Sequence, residues 1–223
     1  MVRAMPIPEL VAGWHRFRNG RFEQQRELME RIAREGQRPR VLMVACCDSR
    51  VDPAIVFDCD PGELFIVRNV ANLVPPCEGA GSYHGTSAGV EFAVTVLEVE
   101  HIVVLGHSRC GGIASLLAGP PNTPEPLRFV GPWLEIGREA RLAALTPPGL
   151  STEERANLCE RLAIRLSLRN LETFPIINKR IASGALKLHG WHYDLGQGVL
   201  TVLDRDTQRF VPVDTLRANL AGG

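Results

Sequence analysis

Two short stretches carry side chains that could bind a metal and act on what it binds. Cys46-Cys47-Asp48-Ser49-Arg50 ends the apolar run VLMVACCDSRVDP at 41–53, and His107-Ser108-Arg109-Cys110 follows the apolar run HIVVL at 101–105. Alternate side chains of an extended segment share a face, so Cys46, Asp48 and Arg50 point one way while Cys47 and Ser49 point the other. Cys46 is therefore the partner of the acid and the base, and Cys47 is expected to pack on the opposite face. His107 and Cys110 stand three apart where a strand turns into a helix, on the same side of the first helical turn. Two thiolates and an imidazole, Cys46, His107 and Cys110, suit zinc by softness and by charge. Three protein ligands leave the fourth tetrahedral position to water, whose pKa bound zinc lowers from about 15.7 to about 7. Asp48 is then the group to accept a hydrogen bond from the resulting hydroxide, or to become a fourth ligand in a closed state. Arg50 can hold it ionised through a bidentate pair. Gly111 and Gly112 let backbone approach, with an N–H at the helix start able to face an anionic product.

These groups need a scaffold that brings two strand ends together. Strands are expected at 41–46, 63–70 and 101–105, with a helix at 86–97 and another opening near Cys110. The βαβαβα alternation calls for right-handed crossovers and a parallel sheet, whose sites form in the crevice beyond the strands' C-terminal ends. Two helices are read in 6–35, a Pro- and Gly-rich surface loop in 119–132, and helices near 133–145, 152–171 and 175–182. Ser151 or Thr152 with Glu153 or Glu154 could cap the 152–171 helix. Apolar-polar alternation around Gly196-Gln197-Gly198 gives a terminal hairpin. The expectation is one α/β domain over 1–223: an open, mainly parallel sheet of four strands plus an antiparallel C-terminal edge strand, flanked by helices, with an N-terminal helical arm at 6–36.

Composition narrows the chemistry. Lys plus Arg and Asp plus Glu are equal at 25 each, which gives no long-range attraction for nucleic acid or an anionic membrane, so a small-molecule substrate is expected. No apolar stretch reaches the roughly 20 residues of a membrane span and the N-terminus lacks a signal-peptide pattern, so the expected location is cytoplasmic. Six cysteines in 223 residues do not make a disulfide framework. Cys59, Cys77 and Cys159 are read as buried small hydrophobes, and Tyr83 and His84, in a loop before a helix, as solvated surface residues, with a proton relay as the alternative.

With both motifs in place, the sequence resembles the β-class carbonic anhydrases through their C-x-D-x-R and H-x-x-C motifs. The resemblance continues through GELFIVRNVANLVPP (62–76), GSYHGTSAGVEFAV (81–94), VEHIVVLGHSRCGGI (99–113), SLRNLETFP (167–175) and LHGWHYD (188–194). It implies reversible hydration of carbon dioxide to bicarbonate by zinc-hydroxide attack, one zinc per subunit, and a homodimer with sites near the interface, or two such dimers paired into a homotetramer. It implies also that Gln37 donates to a substrate oxygen and that Phe65, Val70 and Phe92 form the apolar wall of the substrate site, Phe92 replacing a tyrosine of plant-like members. Gly111 supplies an amide to the product. Bicarbonate-gated members carry a tryptophan three residues before the first cysteine ligand; Met43 stands there, so the ungated kind is expected. Two alternatives stay open: hydrolysis of carbon disulfide or carbonyl sulfide, and a non-catalytic zinc-stabilised interaction protein.

Overall fold

A computed structural model of the chain describes residues 6–79, 84–119, 123 and 127–216. The chain divides into two compact units, Met1–Arg38 and Pro39–Gly223.

The first unit holds three helices where the spacing predicted two: α1 (Ile7–Asn19), α2 (Arg21–Gln24) and α3 (Arg26–Glu35). Gly20 breaks the run after α1, and Gln25, at φ −108°, interrupts helical geometry between α2 and α3. None of these helices buries a residue. Leu10, Val11 and Trp14 share an exposed stripe, and Phe22 is held against Phe17 and beneath the Arg18 guanidinium.

The second unit is built on a six-stranded sheet in the order β2-β1-β3-β4-β5-β6. The strands are β1 (Val41–Cys46), β2 (Leu64–Asn69), β3 (His101–His107), β4 (Lys187–Asp194), β5 (Val199–Asp204) and β6 (Arg209–Pro212). The first four are parallel, and β5 and β6 return antiparallel. The expected edge strand β5 is thus an inner strand, and β6 forms the edge. Its four residues end in proline, too few to display a period and unable to donate at the last position.

Because parallel strands are covered on both sides, β1 and β3 are buried along almost their whole length. Leu42, Val44, Ile102, Val104 and Leu188 face a core completed by α5 (Gly85–Thr95), α9 (Thr152–Leu171) and α10 (Pro175–Ala182). Met43, Ala45, Val103 and Leu105 face Val51, Phe57 and Trp191. The remaining helices are α4 (Pro53–Val56), α6 (Gly111–Ala118), α7 (Val130–Leu134) and α8 (Arg138–Leu145). α9 begins with a full capping box: Ser151 Oγ accepts from the Glu154 amide at 3.2 Å while the Ser151 amide donates to Glu154 at 2.8 Å. It lies so close to β3 that a Cβ on Gly106 would stand 2.7 Å from Ile164 Cδ1.

Candidate metal centre

β1 and β3 are neighbours, so both motif-bearing ends emerge side by side. β3 runs two residues further than the periodicity predicted, making His107 its last residue, paired with Tyr193. Cys110 is not inside a helical turn: Arg109 takes a left-handed φ of 57° and Cys110 is the extended cap before α6. A non-glycine residue in that region is strained by about 1–2 kcal/mol, so its surroundings must hold it there.

The turn brings Cys46, His107 and Cys110 together, with one ligand atom from each lying within 4.8 Å of the others. All three are at least 96% buried, their exposures being 4%, 0% and 2%. Cys46 Sγ and Cys110 Sγ are 3.8 Å apart and both cysteines are free. A disulfide would need about 2.05 Å, whereas two thiolates at about 2.3 Å from one tetrahedral zinc stand about 3.8 Å apart. His107 Nδ1 donates to the Ser108 carbonyl at 3.0 Å, which leaves Nε2 as the acceptor nitrogen. Buried Nε2 has no hydrogen-bond partner. An orphaned imidazole nitrogen facing two sulfurs at this spacing fits a zinc ion, by donor chemistry and by geometry.

The sulfurs are coupled. Contact with Cys110 and with His107, together with amides of Asp48 and Ala71, outweighs burial and pushes the Cys46 thiol down. The same contact and burial push Cys110 up, opposed by the amides of Ile113 and Gly112. At His107 burial disfavours the charged form, but Cys46, the Ser108 carbonyl and Asp48 outweigh it and raise the imidazole.

Asp48 stands beside this cluster, its Oδ2 3.9 Å from His107 Nε2. Arg50 grips it with three donors: Nε to Oδ1 at 2.9 Å, a terminal nitrogen to Oδ2 at 2.7 Å, and its own amide to Oδ1 at 3.0 Å. The Arg50 contacts, against partial burial, hold the Asp48 carboxyl well below the usual carboxylate range. Arg50 also donates to the Arg109 carbonyl at 3.0 Å, joining the two motifs.

Val70 packs in the same cluster as Cys46 and Cys110. It lines an apolar cavity of about 660 Å³ with His84, Thr86, Phe129 and Trp133. Gly112 fits against this wall because a Cβ there would meet Val70 Cγ1 and Ala71 Cβ at 2.9 Å. Gly111 opens α6 and is exposed. Phe65 and Phe92 are not brought to the cluster within one chain. Phe65 lies opposite Leu42, four residues before the Asn69 that pairs with Cys46, about 13 Å along the strand. Its ring stacks on that of Phe92 at 5.8 Å, and Phe92 is 43% exposed. Gln37 is an exposed residue of the first unit. Tyr83 falls outside the described residues.

The remaining cysteines depart from expectation. Cys47 is exposed instead of packed, because the strand ends at Cys46 and the chain turns away; Cys77 is exposed and Cys59 half-buried, and of the three read as buried only Cys159 is so. The sequence reading missed Arg68, which donates to the carbonyls of Cys46, Asp48 and Val51 at 2.8–3.0 Å and pairs with Asp52 at 3.0 Å. Its signal was a single cation inside the otherwise uncharged LFIVRN.

The carbonic anhydrase family model matches residues 41–200, which include both motifs. The chain belongs to the β-carbonic anhydrase family. It is 33% identical over 215 residues to a carbonic anhydrase of Synechococcus elongatus, covering 96% of this chain and 78% of the relative. It is 35% identical to beta carbonic anhydrase 3 of Arabidopsis thaliana, covering 90% and 78%. The solved β-carbonic anhydrase CcaA superposes with a TM-score of 0.86 at 35% identity, covering 92% of this chain and 91% of that one. Tetrameric β-carbonic anhydrases of Sordaria macrospora superpose at 0.75 with 28% identity, over 87% and 94%. Carbon dioxide hydration is the general activity of the family, and the chain is an enzyme of that class.

Proposed function

We propose that this chain interconverts carbon dioxide and bicarbonate at one zinc ion held by Cys46, His107 and Cys110. The observation that carries the reading is the orphaned His107 Nε2 facing two free sulfurs 3.8 Å apart. A zinc ion bound there supplies Lewis acidity that makes a water ionisable near neutral pH. Asp48, an acceptor only while Arg50 keeps it ionised, would accept a hydrogen bond from the O–H that stays with the attacking oxygen, turning a lone pair of that oxygen toward the carbon of carbon dioxide. Carbon dioxide approaches along the apolar side formed by Val70. The Gly111 amide donates to an oxygen that gains charge. The second proton of the water passes to buffer.

The grip of Arg50 on Asp48 favours an ungated, open centre over a non-catalytic one closed by Asp48. Phe65 and Phe92, stacked away from their own cluster and partly exposed, serve the site of a second copy, so the working unit is a homodimer or a pair of dimers. No described helix is long and apolar enough to cross a membrane. Six free thiols suit a reducing compartment, and we assign the chain to the cytoplasm. Replacing Cys46 with Ala is expected to remove zinc and hydration activity together, while Cys47→Ala leaves both. Metal analysis that finds zinc lost from the Cys47 variant and kept in the Cys46 variant would reverse the ligand assignment.

A further inference from the structure

We propose that Glu160 and His192 are positioning residues for the ligand Cys110, acting through its backbone amide. The inference rests on the reading of Cys110 as a zinc ligand. Glu160 projects from α9 and is 2% exposed; His192 projects from β4 and is 1% exposed. The Cys110 amide donates to Glu160 Oε1 at 3.2 Å, and His192 Nε2 donates to Glu160 Oε2 at 3.0 Å. Both carboxylate oxygens thus have a buried donor, which fixes the orientation of the group.

The other edge of the same peptide unit is also held, since Arg50 donates to the Arg109 carbonyl at 3.0 Å. The Arg109–Cys110 peptide is therefore clamped on its C=O side from the turn that follows β1 and on its N–H side from α9. Arg109 sits immediately before it at a φ of 57°, and a peptide released at either edge is free to rotate out of that strained setting and carry Cys110 with it. Neighbouring bonds fix the rest of the turn to β4: the Ser108 amide donates to the Tyr193 carbonyl and Ser108 Oγ accepts from the Leu195 amide, each at 2.9 Å.

Stability alone does not account for an acid and an imidazole at this depth. A buried polar pair commonly gains no stability over apolar residues of similar volume, because desolvation offsets the hydrogen bonds it makes. The apolar stripe of α9 around Glu160, with Cys159 and Ala163 at 0% exposure, would accept a hydrocarbon in its place. What a hydrocarbon cannot do is receive the Cys110 amide. Glu160 and His192 do not touch substrate; they set the ligand.

The test is zinc affinity by competition with a chromophoric chelator, and the spectrum of the cobalt-substituted form, on the full-length chain and its Glu160→Gln and His192→Gln variants. Glu160→Gln has one oxygen for two donors, and zinc binding is expected to weaken about 10–100-fold with an altered thiolate-to-cobalt band. His192→Gln, which keeps a donor but gives up the rigid ring that places it, shifts both readouts the same way by less. Ile177→Val, in the core away from the centre, serves as the control: it lowers stability and leaves zinc affinity and spectrum as in the unmodified chain. Zinc affinity within twofold of the unmodified chain in both Glu160 and His192 variants, or equal weakening by Ile177→Val, would overturn the proposal. Absence of zinc from the unmodified chain would instead overturn the metal centre on which it stands.

Discussion

Arg50 serves both halves of the centre: its fork holds Asp48 and its remaining reach holds the Arg109 carbonyl. Asp48→Asn keeps the size of the side chain but loses the charge that makes it an acceptor only. The variant is expected to retain one zinc per chain and to lose at least roughly 100-fold in turnover, the scale of a lost proton-handling group; metal analysis beside stopped-flow kinetics separates the two effects. Arg68 works on backbone instead. Replacing it with Met leaves the carbonyls of Cys46, Asp48 and Val51 without their donor, so denaturant titration should find a loss of about 2–4 kcal/mol. The contrast explains what could be read at this scale. Asp48 and Arg50 are legible because alternation places two partners two residues apart, and the structure has them in contact. Arg68 is not, since three of its four partners are backbone carbonyls 17–22 positions away, and a carbonyl leaves no trace in residue type.

Among the elements, α6 depends on a single missing methyl group. A Cβ on Gly112 would lie 2.9 Å from Val70 Cγ1 and 3.1 Å from the Ala71 amide nitrogen, and Ala71 is itself in the left-handed region at φ 65°. Gly112→Ala must therefore push the start of α6 away from this wall. The expected result is a destabilisation of about 1–3 kcal/mol with a fall in kcat/KM, whereas Ser151→Ala, at the cap of α9, costs about 1 kcal/mol and leaves kcat unchanged. Equal kinetic losses in the two variants would contradict the assignment of Gly112 to the site wall. The extents of β1, α9 and α10 were readable because strong hydrophobic periods end at recognisable caps: Ser151 with Glu154, and Pro175. The bounds of α5 and β3 were not. Glu98 turns the chain at φ 52° after α5, and β3 continues through Gly106 to His107 because β4 pairs with it there. Such endings are decided by partners distant in sequence.

For the whole second unit, pH acts at a place remote from the metal-binding strand ends. His101 and His189 lie toward the N-terminal ends of β3 and β4, with Nδ1 and Nε2 3.1 Å apart. Burial first, then the charges of His101, Arg205 and Lys187, push His189 down to about 4. An unfolded histidine takes up its proton near 6.5, so between these values the unfolded chain binds more protons than the folded one. The stabilisation is complete above about pH 6.5 and is lost as pH falls toward 4, at up to about 1.4 kcal/mol per unit. Urea titrations at pH 7 and pH 4.5 should show a smaller loss for His189→Gln than for the unmodified chain; identical losses would assign the effect elsewhere. The parallel sheet, the order of its motifs and the convergence of two strand ends were all legible before the structure, because they follow from strand alternation and crossover handedness. The placement of Phe65 and Phe92 was not: they stack on each other at 5.8 Å, with Phe65 four residues from the strand end that meets Cys46, a contact set by β2 and α5 packing that no local pattern reveals. The most direct test of the account is stopped-flow hydration of carbon dioxide by protein of measured metal content. One zinc per chain with turnover far above the uncatalysed rate at pH 8 is the predicted result, and a fully zinc-loaded chain that hydrates carbon dioxide only at the background rate would contradict it.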